Sequence, residues 1–232
     1  MSEASIGYVN MISARLIPQL SVGTDLEIVN AARRSFDAAH ATWQVSDANL
    51  IGFLIREGHW LPFRHVQLSF DCAAPVFLAR QLGKHQIGLS WSEVSRRYKT
   101  EGIEFWMPEV WRRRPSGSIK QGTGGDFEPI DSMVFSSLLG EYHSDASALY
   151  HALLDMDVAP ELARMVLPQS MIVKWTWTGS LLAWLHLIKE RTHPNAQKEA
   201  RDFAHIIAQV VKEKFPETFK HLPYAAANQP EA

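Results

Sequence analysis

The chain has a single cysteine in 232 residues, Cys72, which excludes an internal disulfide framework and a cysteine-rich zinc site. It also lacks a charge excess: the formal net charge is -2, whereas a general polyanion partner calls for a strongly basic domain. No nucleic acid is therefore expected as a partner. The longest apolar runs fall far short of a membrane span, so no membrane is expected either. Met1 to Leu20 has no basic start followed by a long apolar core, and the reading is no secretory signal and a cytoplasmic setting. Internal repeats and linkers are missing too. What remains is an ordinary soluble composition, 46% hydrophobic and 21% charged, carrying an unusual eight tryptophans. This length can bury a sizeable core, and the simplest organisation is one domain over 1–232.

Local pattern gives the elements. Ser46 or Asp47 can cap a helix with Leu50, Phe53 and Leu54 inward and Gly58 as its stop. His65 to Asp71 alternates, with Val66, Leu68 and Phe70 on one face, and reads as a strand. Pro75 then suits the first turn of a helix burying Phe77, Leu78 and Leu82 and ending at Gly88. On such a helix Arg80 and Lys84 share a face, as do Gln81 and His85. Ile87 to Ser92 reads as a loop. Trp111 to Pro129, with Arg112-Arg113-Arg114-Pro115 and Gly122-Thr123-Gly124-Gly125, reads as a surface loop whose glycines match no phosphate-loop pattern. Pro129 to about Asp155 is helical, with Met133, Val134, Leu138 and Tyr142 at core spacing. A short helix opens at Pro160 and stops near Pro168. Met171, Val173, Trp175 and Trp177 line one face of a strand, and helical spacing returns at Leu181, Leu182, Leu185 and Ile188. A last amphipathic helix carries Phe203, Ile206, Ile207, Val210 and Val211 and closes at Pro216. The pattern is an α/β domain of the α+β type, with few strands and many helices.

Chemistry concentrates between Arg80 and Tyr98. Arg80, Lys84, Arg96 and Arg97 supply cations, His85 an imidazole, Gln81 and Gln86 amides, Glu93 a carboxylate and Ser95 a hydroxyl. A solvated basic face does not need that variety, whereas a site for a phosphate and a heterocycle does. Arginine forks grip phosphate bidentately, and Glu93 can hold an arginine in place. His59 and His65 flank Pro62-Phe63 without a third ligand at zinc-hydrolase spacing, so no metal is expected; His59 reads as facing a cleft. Cys72, between apolar neighbours, reads as a small buried residue rather than a nucleophile. Arg164, in a mostly apolar helix, is either a snorkelling surface group or a buried anion clamp. Arg191 reads as lying near a helix start, for anion binding or an inter-helix ion pair.

Taken in order, several segments resemble the flavin-dependent thymidylate synthases. They are Ala31 to Phe36, Gly58 to His65, Ala74 to Gln81, Glu93 to Tyr98, Ala163 to Pro168, and Arg191 with Ala196-Gln197. The resemblance omits the two ends and the loop from Trp111 to Pro129. The family signature is Arg-His-Arg, seven residues, then Ser. This chain has Lys84-His85-Gln86 and eight residues, Ile87 to Val94, before Ser95.

The resemblance implies a small, mostly antiparallel sheet flanked by helices, and a homotetramer with sites built from several subunits. It implies reductive methylation of deoxyuridylate (dUMP), with methylenetetrahydrofolate as carbon donor and FAD, reduced by NADPH, as hydride carrier. By position, Gln81, Lys84, Ser95, Arg96, Arg97 and Arg164 surround the nucleotide, with Arg97 and Arg164 near its phosphate. Arg191 is the implied catalytic group, a fixed cation facing the uracil. Lys84, His85, Gln86, Ser180 and His186 fall at the flavin, with Glu93 between the two ligands and His59 and Leu61 on the flavin or folate side. Trp60 or Trp91 would stack on a ring, the alternative for each being a core or interface residue. Because Gln86, Ser180 and His186 depart from the family pattern, the alternative is a nucleotide-binding homologue without flavin redox chemistry. A nucleic-acid module built on Arg96-Arg97 and Arg112 to Arg114 is the remaining reading.

Overall fold

The computed structural model describes residues 7–8, 12–116 and 122–222. The strands are β1 (Gly7–Tyr8), β2 (Ser13–Leu16), β3 (Gln67–Pro75), β4 (Leu89–Glu93), β5 (Glu104–Phe105) and β6 (Ile172–Ser180). The helices are α1 (Asp25–Arg33), α2 (Val45–Arg56), α3 (Val76–Leu82), α4 (Pro129–Asp155), α5 (Pro160–Ala163), α6 (Leu181–Arg191), α7 (Lys198–Lys214) and α8 (Pro216–Lys220). A four-stranded antiparallel sheet runs β2-β3-β6-β4, and β1 pairs with β5 in parallel. The expected small sheet among many helices is what the chain forms. No described helix is long and apolar enough to cross a membrane.

Register places the core. Phe70 lies opposite Trp177 and Cys72 opposite Trp175, so the apolar sides of β3 and β6 make one continuous surface. Onto it pack Trp184, Leu185 and Ile188 of α6, and Phe203, Ile207 and Val211 of α7, all buried. Burial of each such side chain contributes about 1.5–3 kcal/mol. The Trp184 indole N–H is satisfied by the carbonyls of Leu68 and Gly179, so its polar atom costs nothing inside. Cys72 is buried, as its neighbours suggest, and burial pushes its thiol pKa up.

Several local expectations change. Asp47 does not cap α2; the helix begins at Val45, and the buried Asp47 carboxylate accepts from Gln44 N–H at 2.8 Å, from the His40 ring, and pairs with Arg33. The third residue of a helix can satisfy the cap from inside the first turn. Helix α3 ends at Leu82, six residues before Gly88, because the chain turns through Gly83. Lys84 and His85 are therefore not helical. Ile87 to Ser92 is not all loop: Leu89 onward forms β4, held by pairing with β6 and by Trp91 stacked on Trp175 at 4.2 Å. Gly88 supplies the positive φ of 75° that this turn requires. Helix α4 spans the expected residues, but Met133, Val134, Leu138 and Tyr142 are exposed, while Ser132, His143, Ala146, Ser147 and Tyr150 face inward. The inward side is set by His143, whose ring stacks on Phe105 at 4.3 Å and whose Nε2 meets Ser170 Oγ at 2.7 Å. Pro216 closes α7 and also opens α8, whose first-turn N–H groups donate to the buried carboxylate of Asp25.

The expected loop at 111–129 is hydrogen-bonded at its base: Arg112 bridges to Asp126, and Arg113 pairs with Gly124 and Gly125. Its residues 117–121 lie outside the described structure.

Candidate active site

Three clefts surround α3 and β4, and they hold most of the residues singled out above. One, of about 670 Å³, lies between Gln81 on α3, Arg191 at the end of α6, the loop leading into α7, and Arg112 with Thr123 from the 111–129 segment. A second, of about 420 Å³, is lined by Arg80, Lys84, Gln86, Trp91 and Glu93. A third, of about 330 Å³, holds Glu93, Ser95, Arg96 and Arg164. The second and third share Val76, Glu93 and Val173 and form one furrow, with Glu93 at the junction. The residues assigned to one nucleotide thus lie in two separate places, Gln81 and Arg191 in the first cleft and Ser95, Arg96 and Arg164 in the third.

The side chains differ in how far they are committed. Arg96 donates to the carbonyls of Lys99, Glu101 and Gly102, with Glu101 the closest at 2.7 Å, so its guanidinium staples the loop after β4. Burial lowers its pKa from the usual arginine value. Ser95 Oγ accepts from the backbone N–H of Arg97 at 3.2 Å and from its Nε at 3.4 Å, while the exposed Arg97 guanidinium lies over Tyr98. Glu93 does not hold an arginine. Its carboxylate accepts from the Trp91 indole at 3.0 Å, which fixes that ring against Trp175. Arg164 is exposed, and among the described residues its side chain is tied only by a 3.3 Å bond from Nε to the Glu161 carbonyl, which leaves the rest of its fork for an anion. Among the described residues Gln81 keeps a buried Oε1 without a hydrogen-bond partner beside the first cleft.

Arg191 lies at the C-terminal end of α6, not near a helix start. There the helix dipole favours a cation. Its Nε donates to His85 Nε2 at 2.8 Å, and His186, one turn earlier on α6, sets its ring 6.1 Å from that of His85. Burial, then the charges of Arg191 and His186, push the His85 pKa down to about 4. Ser180 is the N-cap of α6, its Oγ accepting from Ala183 N–H. His59 is exposed and meets Phe53 edge-on, and Leu61, also exposed, opens a short turn whose Pro62 and Phe63 are buried. Among the described residues no cluster of His, Cys, Asp or Glu could hold a metal ion.

The sequence reading missed Arg112. It ion-pairs with Glu199, itself buried in the first turn of α7 and also held by Gln197 at 2.9 Å. This clasp draws the 111–129 segment to the mouth of the Arg191 cleft, and Gly124 allows it, since a side chain there would meet the Arg114 carbonyl at 2.4 Å. A signal existed: Glu199 falls in helical register with Phe203 and Ile207, an acid on a buried stripe that needs a cationic partner.

Comparison with known proteins gives the family and the fold. Residues 15–217 match the family model described as Thymidylate synthase complementing protein. A protein of Thermus thermophilus named flavin-dependent thymidylate synthase is 38% identical over 202 residues, covering 87% of this chain and 72% of its own. A relative of the same name from Thermosipho africanus is 34% identical over 199 residues, covering 86% of each. The UMP/dUMP methylase PolB of Streptomyces cacaoi superimposes with a TM-score of 0.84 at 29% identity in its complex with 5-Br dUMP, over 95% of this chain and 97% of that one. Its 5-Br UMP complex gives 0.83 at 28%, over 95% and 96%. The fold and these relatives are those of a methyl-transferring enzyme. The chain belongs to the flavin-dependent thymidylate synthase family.

Proposed function

We propose that the protein is a thymidylate synthase that methylates dUMP to dTMP in the cytoplasm. Methylenetetrahydrofolate supplies the carbon, and FAD, reduced by NADPH, carries the hydride. The observation that carries this reading is the pairing of a fixed cation, Arg191, with the Gln81 amide in one cleft, while the Lys84-to-Arg164 furrow offers cations and an indole. Cys72 is buried with a raised pKa, so the chain has no accessible thiol to add to the uracil ring.

The furrow suits a flavin. Arg80 and Lys84 offer exposed positive charge for a diphosphate, Gln86 an amide, and the Trp91 face a planar ring to stack on. Lys84 in place of the family's arginine keeps the charge and gives up the fork, and Gln86 gives up charge altogether. His186 faces His85, between Lys84 and Gln86 in the chain, Ser180 lies against Gly88, and the exposed His59 and Leu61 are open to the flavin or folate. When bound, the flavin supplies hydride. Arg191, with Gln81 beside it, holds the uracil edge and stabilises negative charge developing on the ring. Arg97 and Arg164 hold the phosphate, Ser95 adds its hydroxyl, Lys84 reaches the nucleotide as well as the flavin, and Arg96 holds the loop that presents them.

The separation of Gln81 and Arg191 from Ser95 and Arg164 supports a homotetramer in which one subunit's furrow meets another's cleft. The apolar residues exposed on α4 fit burial against a second copy. Release of tritium from C5-labelled dUMP with NADPH and methylenetetrahydrofolate, by protein that is yellow or binds added FAD, tests the reading. Flavin binding without dUMP-dependent turnover refutes it, and nucleotide binding without FAD affinity favours the homologue lacking redox chemistry. A second reading extends the substrate to the ribonucleotide, favoured by the likeness to a UMP/dUMP methylase; labelled UMP in the same assay decides it.

A further inference from the structure

We propose that His85 is a positioning residue for Arg191: it occupies the Nε edge of the guanidinium and so decides which donors are presented to the substrate. The inference rests on the thymidylate synthase reading and concerns the same cleft. His85 lies in the turn after α3 and Arg191 at the end of α6, and the fold brings them to 2.8 Å.

For Arg191 Nε–H to donate to it, His85 Nε2 must carry a lone pair. The imidazole is therefore neutral, with its proton on Nδ1. The groups around it favour that state. Arg191 and His186 oppose a second positive charge, while Glu190, also on α6, is the one nearby group acting the other way; Lys84 precedes His85 in its own turn. A neutral acceptor orients the arginine without cancelling its charge, which a carboxylate in the same place would do. Among the described residues neither Nη group of Arg191 has a hydrogen-bond partner, so both remain for a ligand in the cleft shared with Gln81.

An arginine on a free side chain loses rotamer freedom when it engages substrate. A pinned one has lost that freedom beforehand, and because its contact strengthens as negative charge develops on the ring, the gain appears mainly in turnover. The resemblance gave His85 to the flavin. Its Nε2 is taken by Arg191, and the two roles separate experimentally.

The experiment is a double-mutant cycle on the holoenzyme: His85→Ala, Arg191→Ala and the pair, with His85→Gln as the conservative variant, whose Oε1 can reach the position of Nε2. Readouts are kcat and KM for dUMP, together with flavin affinity from a fluorescence titration. His85→Ala should lower kcat about 10–100-fold with KM changed less than about threefold, and should add nothing in the Arg191→Ala background. His85→Gln should recover most of the loss. Losses that multiply across the cycle, a His85→Gln variant as slow as His85→Ala, or a defect confined to flavin affinity would each overturn the proposal. A wild-type protein that binds flavin and dUMP without turnover would overturn the functional reading and this inference with it.

Discussion

Replacing Arg112 with alanine tests how the described part of the 111–129 segment is held at the mouth of the Arg191 cleft. Its ion pair with Glu199 is largely out of solvent, the two side chains being 20% and 4% exposed. Removing one partner of a buried pair costs about 3–5 kcal/mol, because the other charge is left behind. Two features soften the loss. Gln197 Nε2 stays 2.9 Å from the carboxylate, and the first turn of α7 supplies a helix dipole worth up to about 1 kcal/mol. A net loss of about 2–4 kcal/mol follows, or roughly 5–15 °C in Tm for a protein of this size. The pH dependence sharpens the test. Burial raises the Glu199 pKa, but hydrogen bonds from Arg112, the backbone and Gln197, with the Arg112 charge, outweigh it and hold the carboxyl below its usual 4.5. The native protein therefore binds fewer protons there than the unfolded chain. This contribution to stability is present above about pH 4.5 and is lost as pH falls through the folded value. Without Arg112, burial dominates and the folded pKa rises above the unfolded one, so stability is lost as pH rises. The Tm gap between wild type and Arg112→Ala, measured without added flavin at fixed protein concentration, should widen from about pH 5 to about pH 7. A gap below about 2 °C, or one independent of pH, would refute the buried-clasp argument.

Gly179→Ala would place a methyl 2.7 Å from the Gly88 carbonyl and 2.4 Å from Leu89 Cδ2, costing about 1–3 kcal/mol in denaturant unfolding; an unchanged midpoint would contradict the close approach of β6 to that turn. Arg164→Ala should weaken dUMP binding by about 1.5–3 kcal/mol in calorimetry, since its fork is free for a phosphate, and equal affinities would remove it from the site. Arg191→Ala should lower turnover roughly 10²–10³-fold while leaving flavin affinity nearly intact; matched losses of both would make it a structural residue. Leu138→Asp, on the exposed α4 face, should reduce the assembly mass in light scattering with helix content retained, whereas an unchanged mass would place the subunit interface elsewhere.

The fold was legible wherever one chemical pattern had one physical solution. Alternation in β3 and β6 and the apolar stripe of α7 each allow a single buried side. The short β4 was not legible, since Leu89 to Glu93 becomes a strand only through its partner β6 and the ring stack of Trp91 on Trp175. In α4 the spacing marked an apolar face correctly but not which face the core takes, and His143 against Phe105 settles that. At the site, residue types between Arg80 and Tyr98 pointed to an anion and a ring. Their local partners were misjudged, because Glu93 meets an indole rather than an arginine, and α3 stops too soon to carry Lys84 and His85.

The sequence by itself determined the family, through motifs in a fixed order, along with the periodicities that make its strands and helices and the limit of a single cysteine. Only the tertiary structure decided that His85 meets Arg191, that Arg112 clasps Glu199, and that the nucleotide-binding candidates divide between two clefts. Those facts depend on contacts between residues from 87 to 106 positions apart. Periodicity reports the neighbours a residue has along one element; packing chooses which elements meet, and with them the partner, charge and orientation of each functional group.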